Sequence, residues 1–239
     1  MSAAARSSGP RFSPLGQWNR VPVSAVRDQL RLALARWGLP ARFRVDNGSP
    51  WGSKGEFPTE LSLWLIGLGV GMHWNTPRRP EENGVVERSQ GTSCRWCEPW
   101  TCATPGELQE RLDHSDRLYR EVYPYRDRLS RMAFYPGLAH SGRPFDPARE
   151  STDWQWSRVA EHLSNYVVER RVDSAGLVSL YGRGHYVGKV HQGKTVHVTF
   201  DPQACEWIIA DREGRQLSRR PANELTEERV RQMDVTRRD

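Results

Sequence analysis

The sequence predicts a mixed α/β core followed by a small antiparallel all-β domain, and three observations carry that expectation. Between residues 23 and 123, stretches with apolar residues at helical spacing alternate with two short runs in which every second residue is apolar. Beyond residue 165, six brief runs rich in β-branched and aromatic residues are separated by turn residues. Between these regions, residues 124–150 are broken by Pro136, Pro144 and Pro147 and by glycines, which marks a linker or a long wrapping connection.

The elements follow in order. Residues 1–22 have no period and are rich in Ser, Ala, Gly, Pro and Arg, so a disordered or truncated edge is expected there. From Val23 the positions Val26, Leu30, Ala33, Leu34 and Trp37 recur at helical spacing; Ser24 is a possible cap, and Gly38 with Pro40 ends the run. Phe43 and Val45 then alternate with Arg42 and Arg44 as in a strand, which closes in an Asp46-Asn47-Gly48 turn. Thr59 caps a second helix through Leu68, and residues 69–74 make another short strand. The Pro-rich loop NTPRRPEEN leads into a third helix, GVVERSQGTSCRWCE. The sequence TPGE, residues 104–107, is a capping box with Pro at the first helical position, and it opens a helix through Leu108, Leu112, Leu118 and Val122 that Pro124 stops. After a short helix over 157–164, the runs YVVERRV, GLVSLYG, GHYVGKV, KTVHVTFD, EWIIAD and GRQLSR suggest a small antiparallel barrel or sandwich over 151–222, of which the barrel is the one expected. The residues from 223 to 239 form a tail of mixed charge that is expected to fray.

Bulk properties narrow the function classes. At 239 residues and 37% hydrophobic composition, the chain can bury a modest core. Its longest apolar run, LSLWLIGLGV, is far shorter than the roughly 20 residues of a spanning helix, and no secretory h-region is visible, so a cytoplasmic protein without membrane partners is expected. The net charge of +6 is concentrated in the first 50 residues, which hold eight arginines and two acids, and it suits a phosphate-rich partner. Glycine-rich phosphate loops, nucleophile elbows and dinucleotide fingerprints are not found.

Two carboxylates stand out. Asp46 sits at the carboxyl end of a strand and Glu87 on the first turn of a helix, positions that can meet above the edge of an open α/β sheet. Carboxylate oxygens are hard ligands for Mg²⁺ or Mn²⁺, and a pair of such ions about 3.5 to 4 Å apart serves phosphoryl transfer. Taken singly, each residue is equally at home as a turn former or as an acid at a helix start.

The two motifs in order, GLPARFRVDNGSPWGS and NTPRRPEENGVVERSQGT, resemble the catalytic core of the DDE transposases and retroviral-type integrases, enzymes of the ribonuclease-H-like fold. The resemblance covers residues 23–123. It implies that Asp46 and Glu87, with 40 residues between them, are the second and third metal-binding carboxylates, that Mg²⁺ or Mn²⁺ is the cofactor, and that DNA cleavage and strand transfer are the reactions. No counterpart of the family's first Asp appears: residues 1–27 contain no acid, and Asp28 falls inside the first helix. The expectation is therefore an incomplete core with its first strands missing, truncated at the N-terminus and catalytically impaired as this chain. The alternative is a non-catalytic DNA-binding protein or regulator derived from a transposase.

The second half resembles the small barrel that follows the core in phage-type transposases, where it contacts DNA. Its Arg170, Arg171, Arg183, Lys189 and Lys194 can track phosphates or simply be solvated. The same two readings hold for Arg88 and Arg95 on the helix of Glu87, and for Arg78 and Arg79 in the Pro-rich loop. The implied partners are transposon-end and target DNA, and a second copy or a full-length transposase. Cys94, Cys97 and Cys102 form no disulfide framework, and even with His73 or His114 added they fit zinc poorly, so packed thiols are expected. Trp37, Trp64 and Trp74 are expected in the core, and Trp51 either in the core or flanking the site.

Overall fold

The computed structural model describes residues 22–236, and the chain is mixed α/β as expected. Its contacts divide it into two compact units, one comprising residues 80–140 and the other residues 23–79 together with 141–236. The expectations for residues 1–21 and 237–239 lie outside the described residues.

The larger unit begins with α1 (Val23–Trp37), which buries Leu34 and packs Val26 and Leu30 against the core, the face that the helical spacing marks. The helix starts one residue before Ser24, so that serine lies in its first turn. Gly38 ends it at φ +77°, a conformation in which a side chain is strained, with its N–H on the carbonyl of Leu34 at 2.8 Å. Strand β1 (Arg42–Val45) pairs in parallel with β2 (Gly71–Trp74), Arg42 opposite Gly71 and Val45 opposite Trp74. Parallel neighbours need a crossover, and α2 (Glu60–Gly67) supplies it. Every residue from Leu61 to Gly67 is buried, so α2 is a core helix rather than an amphipathic one. Thr59 caps it as expected, its hydroxyl accepting from the Ser62 N–H.

The 80–140 unit is built on α3 (Gly84–Cys97) and α4 (Pro105–Arg117), which pack together over Cys97, Cys102 and Leu108. Thr104 caps α4, its Oγ1 accepting from the Glu107 N–H at 3.1 Å, while Glu107 reaches past the cap to accept from the Ala103 N–H at 2.8 Å, one residue before the partner a capping box would give it. Helix α4 loosens into a wide π-type turn over Leu118–Val122. The stretch after it is structured: β3 (Pro124–Arg126) and β4 (Leu129–Ser130) form a tight hairpin, and α5 (Arg131–Phe134) follows.

The larger unit resumes with α6 (Glu150–Asp153) and the amphipathic α7 (Trp156–Ser164), which buries Val159, Ala160 and Leu163. Six strands come next: β5 (Val168–Arg171), β6 (Leu177–Leu180), β7 (Arg183–Tyr186), β8 (Thr195–Asp201), β9 (Glu206–Ala210) and β10 (Gln216–Pro221). They correct the expected barrel. The sheet order is β10-β9-β8-β5, all antiparallel, and β6-β7 is a separate hairpin, so among the described residues the strands do not close on themselves. The physical reason is that β5 finds its partner in β8, across the intervening hairpin, and leaves β6 outside the ladder. Alternate residues Val196, Val198 and Phe200 of β8, with Trp207 and Ile209 of β9, turn inward and join α2, α7 and Phe57 in one core.

The tail also departs from expectation. Leu225, Val230 and Val235 are buried, and α8 (Glu227–Gln232), capped by Thr226, packs against α2. The Val235 N–H donates to Glu60 at 3.0 Å, which ties the tail to the first turn of α2. Burial outweighs that contact and raises the Glu60 pKa above the ordinary carboxylate value.

Two buried indole N–H groups are satisfied by carboxylates. Trp64 donates to Glu150 at 2.9 Å, and Glu150 also accepts two bonds from Arg31 at 2.6 and 2.8 Å. Trp207 donates to Glu224 at 2.7 Å. Among the described residues no helix is long and apolar enough to cross a membrane.

Candidate functional site

Asp46 is the first residue after β1, and it is exposed at the carboxyl end of the parallel pair. The turn that carries it is fastened to β2. Asn47 donates through Nδ2 to the carbonyl of Asn75 at 2.7 Å and accepts through Oδ1 from the Lys54 N–H at 2.7 Å. Asn75 returns its own N–H to the Val45 carbonyl at 2.9 Å, and its Oδ1 accepts from Arg44 at 2.7 Å. The asparagine of the D-N-G motif is therefore a clamp between two strand ends, and Asp46 is presented outward beside it.

Trp51 follows in the same turn and resolves toward packing. Its carbonyl accepts from Ser62 Oγ and from Trp74 Nε1, each at 2.9 Å, and its half-buried ring stacks with Phe43 at 6.5 Å between centroids. Trp64 and Trp74 are buried as expected, whereas Trp37 is only half-buried. Gly52 adopts φ +88°, and a Cβ there would press on the Thr59 methyl at 3.1 Å, so glycine is needed where the turn meets the cap of α2.

Glu87 lies on the first turn of α3 and is exposed. The single 3-10 turn Pro80–Asn83 runs directly into the helix, and Asn83 makes no side-chain cap bond. An acid there sits in the positive end of the helix field. Asp46 belongs to the larger unit and Glu87 to the 80–140 unit. Both have the hard oxygen chemistry of Mg²⁺ or Mn²⁺ ligands, but among the described residues no three His, Cys, Asp or Glu side chains come together as a metal set.

The basic residues divide by how they are engaged. Arg78, Arg79, Arg88, Arg95, Lys189 and Lys194 are exposed. Arg170 is committed internally: it donates to the Ser179 carbonyl at 3.2 Å, to the Glu169 carbonyl at 2.9 Å, and to the Glu56 carboxylate. Arg171 reaches the Gly193 carbonyl at 3.2 Å. Arg183 is half-buried and lines a polar cleft of about 530 Å³ with His185, Tyr186, Arg220 and Glu224.

That cleft has a feature the sequence did not signal. Glu224 is 1% exposed and holds His185 Nε2 at 3.0 Å as well as the Trp207 indole. Burial opposes its ionisation, but the bonds from His185 and Trp207 outweigh that and hold its pKa below the ordinary carboxylate value. Only tertiary pairing brings a charged residue of the tail beside a β7 histidine, so no local pattern announces it.

Cys97 and Cys102 are buried beside Leu108, and Cys94 is exposed. No protein-family model matches the chain.

Proposed function

We propose that this chain is a DNA-transposition protein of the DDE transposase and integrase type, with a ribonuclease-H-like core in which Asp46 and Glu87 are two of the metal-binding carboxylates. One observation carries the reading: the D-N-G turn is clamped to the far end of a parallel βαβ unit, so that Asp46 stands at the carboxyl edge where open α/β sheets place their ligands. Bound Mg²⁺ or Mn²⁺ would supply activation of a water or DNA 3′-hydroxyl and stabilisation of the leaving oxygen.

The chain's own residues have simpler tasks. Asn47 keeps the Asp46 backbone in place, and the first turn of α3 presents the Glu87 carboxylate at an exposed position. The exposed Arg78, Arg79, Arg88, Arg95, Lys189 and Lys194 neutralise DNA phosphates without reading bases. The partner on paired DNA ends is a second copy or a full-length transposase. A second reading is a DNA-binding regulator without cleavage activity, favoured by the lack, among the described residues, of three His, Cys, Asp or Glu side chains grouped as a metal set.

The test is duplex binding across a salt series together with Mg²⁺-dependent nicking of supercoiled plasmid. Binding that weakens steeply with salt, and nicking that disappears in both Asp46→Asn and Glu87→Gln, is the expected result. Binding without nicking selects the regulator. Nicking that survives both substitutions, or no binding at low salt, overturns the proposal.

A further inference from the structure

The 80–140 unit carries a row of exposed aromatic rings that its small core does not use. The wide turn after α4 brings Tyr119 and Tyr123 to Trp96 of α3, with ring centroids 5.9 and 5.3 Å from the indole. The β3-β4 hairpin brings Tyr125 to Phe134 and Tyr135, at 5.7 and 5.8 Å. Arg131 joins the two groups, its guanidinium 3.5 Å from the Tyr119 centroid and 4.9 Å from that of Tyr125. Arg126 covers Tyr125 from 5.3 Å and Phe134 from 5.8 Å. The result is two clusters of three rings, joined by the Arg131 guanidinium and flanked by that of Arg126.

Four of these rings are open to solvent on one side, while Tyr119 and Phe134 are half-buried. Tyr123 is 50% exposed, Tyr135 45%, Trp96 38% and Tyr125 37%, while the core of the unit is Cys97, Cys102 and Leu108. An exposed contiguous patch of this kind signals a binding surface. Its charge selects the partner. The 80–140 unit as a whole holds ten acids against eight arginines, and Arg120 is paired with Asp116 and Glu121, but on the hairpin itself Arg126 and Arg128 are exposed with Asp127 as the one acid between them. An acidic polymer is favoured over an apolar protein face by that sign. Flat aromatic faces beside cations suit unstacked bases with their phosphates, because every base has a π-face and every linkage a negative charge. A duplex hides its base faces, so the surface fits a single strand.

We infer that this aromatic row binds a single-stranded stretch of nucleic acid, bases stacking on Tyr123 and Tyr135 and phosphates pairing with Arg126 and Arg128, while Tyr125 holds Arg126 in place. The inference deepens the DNA-handling reading and rests on it for the class of polymer, while adding the surface and the unpaired state of the strand.

The experiment uses the full chain, a fluorescein-labelled 20-nucleotide oligo-dT, a duplex of equal length, and a bromouracil-substituted single strand for photocrosslinking. Tyr123→Ala and Tyr135→Ala are each expected to weaken single-strand binding by about tenfold and to leave duplex binding within about twofold. The corresponding Tyr→Phe variants keep the ring and are expected to bind as the parent does. Crosslinks on the unsubstituted protein are expected within residues 119–135, a readout that holds even where an alanine variant fails to fold. Unchanged single-strand affinity with crosslinks elsewhere overturns this inference and leaves the duplex-binding reading intact. Failure to bind either nucleic acid overturns both. Loss of self-association in the alanine variants, with oligo-dT binding unaltered, makes the row a protein interface and also overturns it.

Discussion

Asn47 donates a hydrogen bond to the main-chain carbonyl of Asn75 at 2.7 Å, and through it the turn that carries Asp46 is fixed to the end of the neighbouring strand. The residue beside the candidate ligand is therefore structural, and the ligand itself is not.

That division predicts opposite outcomes for adjacent substitutions. Asn47→Ala removes two side-chain bonds and should cost about 1–3 kcal/mol in urea unfolding. Asp46→Asn, at an exposed position, should change stability by less than about 0.5 kcal/mol. Equal effects from the two would show that the turn is held by something other than Asn47.

Gly67 lies against the indole of Trp154 so closely that an added Cβ would fall 2.1 Å from ring atoms. Trp154 cannot retreat easily, because it is buried and its Nε1 donates to the Trp64 carbonyl at 3.0 Å. Gly67→Ala should therefore cost about 3 kcal/mol and lower Tm by roughly 6–12 °C. A melting point within about 2 °C of the parent would mean the α2–Trp154 contact is looser than this packing.

Glu224 is the hub of a buried network, and truncating it leaves two buried donors without an acceptor. Glu224→Ala should cost about 3–5 kcal/mol, measured by denaturant unfolding. Glu224→Gln keeps an acceptor and the volume, so it should cost less. If glutamine is as damaging as alanine, charge rather than hydrogen bonding is what the site requires.

Acid should unfold the larger unit through Glu150 and Glu224. In both, burial opposes ionisation but is outweighed, at Glu150 by the bonds from Arg31 and Trp64 and at Glu224 by those from His185 and Trp207. A folded pKa below the ordinary value near 4.5 means that the stabilisation is complete above it and is lost as pH falls through the depressed folded values. Stability should thus be flat between about pH 7 and 5 in this respect and fall below about 4.5. Glu60 works in reverse: its raised pKa favours the folded state at low pH, and that contribution is lost as pH rises, so Glu60→Gln should be the mildest of the three glutamine variants at neutral pH. Parallel pH profiles for the parent and Glu150→Gln would refute the assignment to Glu150.

Much of the secondary structure was legible because its signals are local. The Val26, Leu30 and Leu34 stripe, the Thr59 and Thr104 caps, and the Phe43/Val45 alternation each depend on residues a few positions apart, and each element formed where its pattern placed it. The tail misled because charge dominates its composition. Three apolar residues, Leu225, Val230 and Val235, spaced five apart, were enough to dock it once a core existed to receive them. The π-type turn and the hairpin after α4 were hidden by the prolines that punctuate the same stretch.

Local signals were enough for the helices and strands up to α4, for the short strands beyond residue 165, and for the places of Asp46 at a strand end and Glu87 at a helix start. Only the tertiary structure decided that residues 141–236 share a core with residues 23–79, that β5 pairs with β8 and leaves the barrel open, and that Glu224 meets His185 and Trp207. The reason is physical. Caps, turns and periodicity are settled by neighbours along the chain, whereas strand partners and buried polar networks are settled by which distant surfaces exclude water together, and that information is not written at any one position.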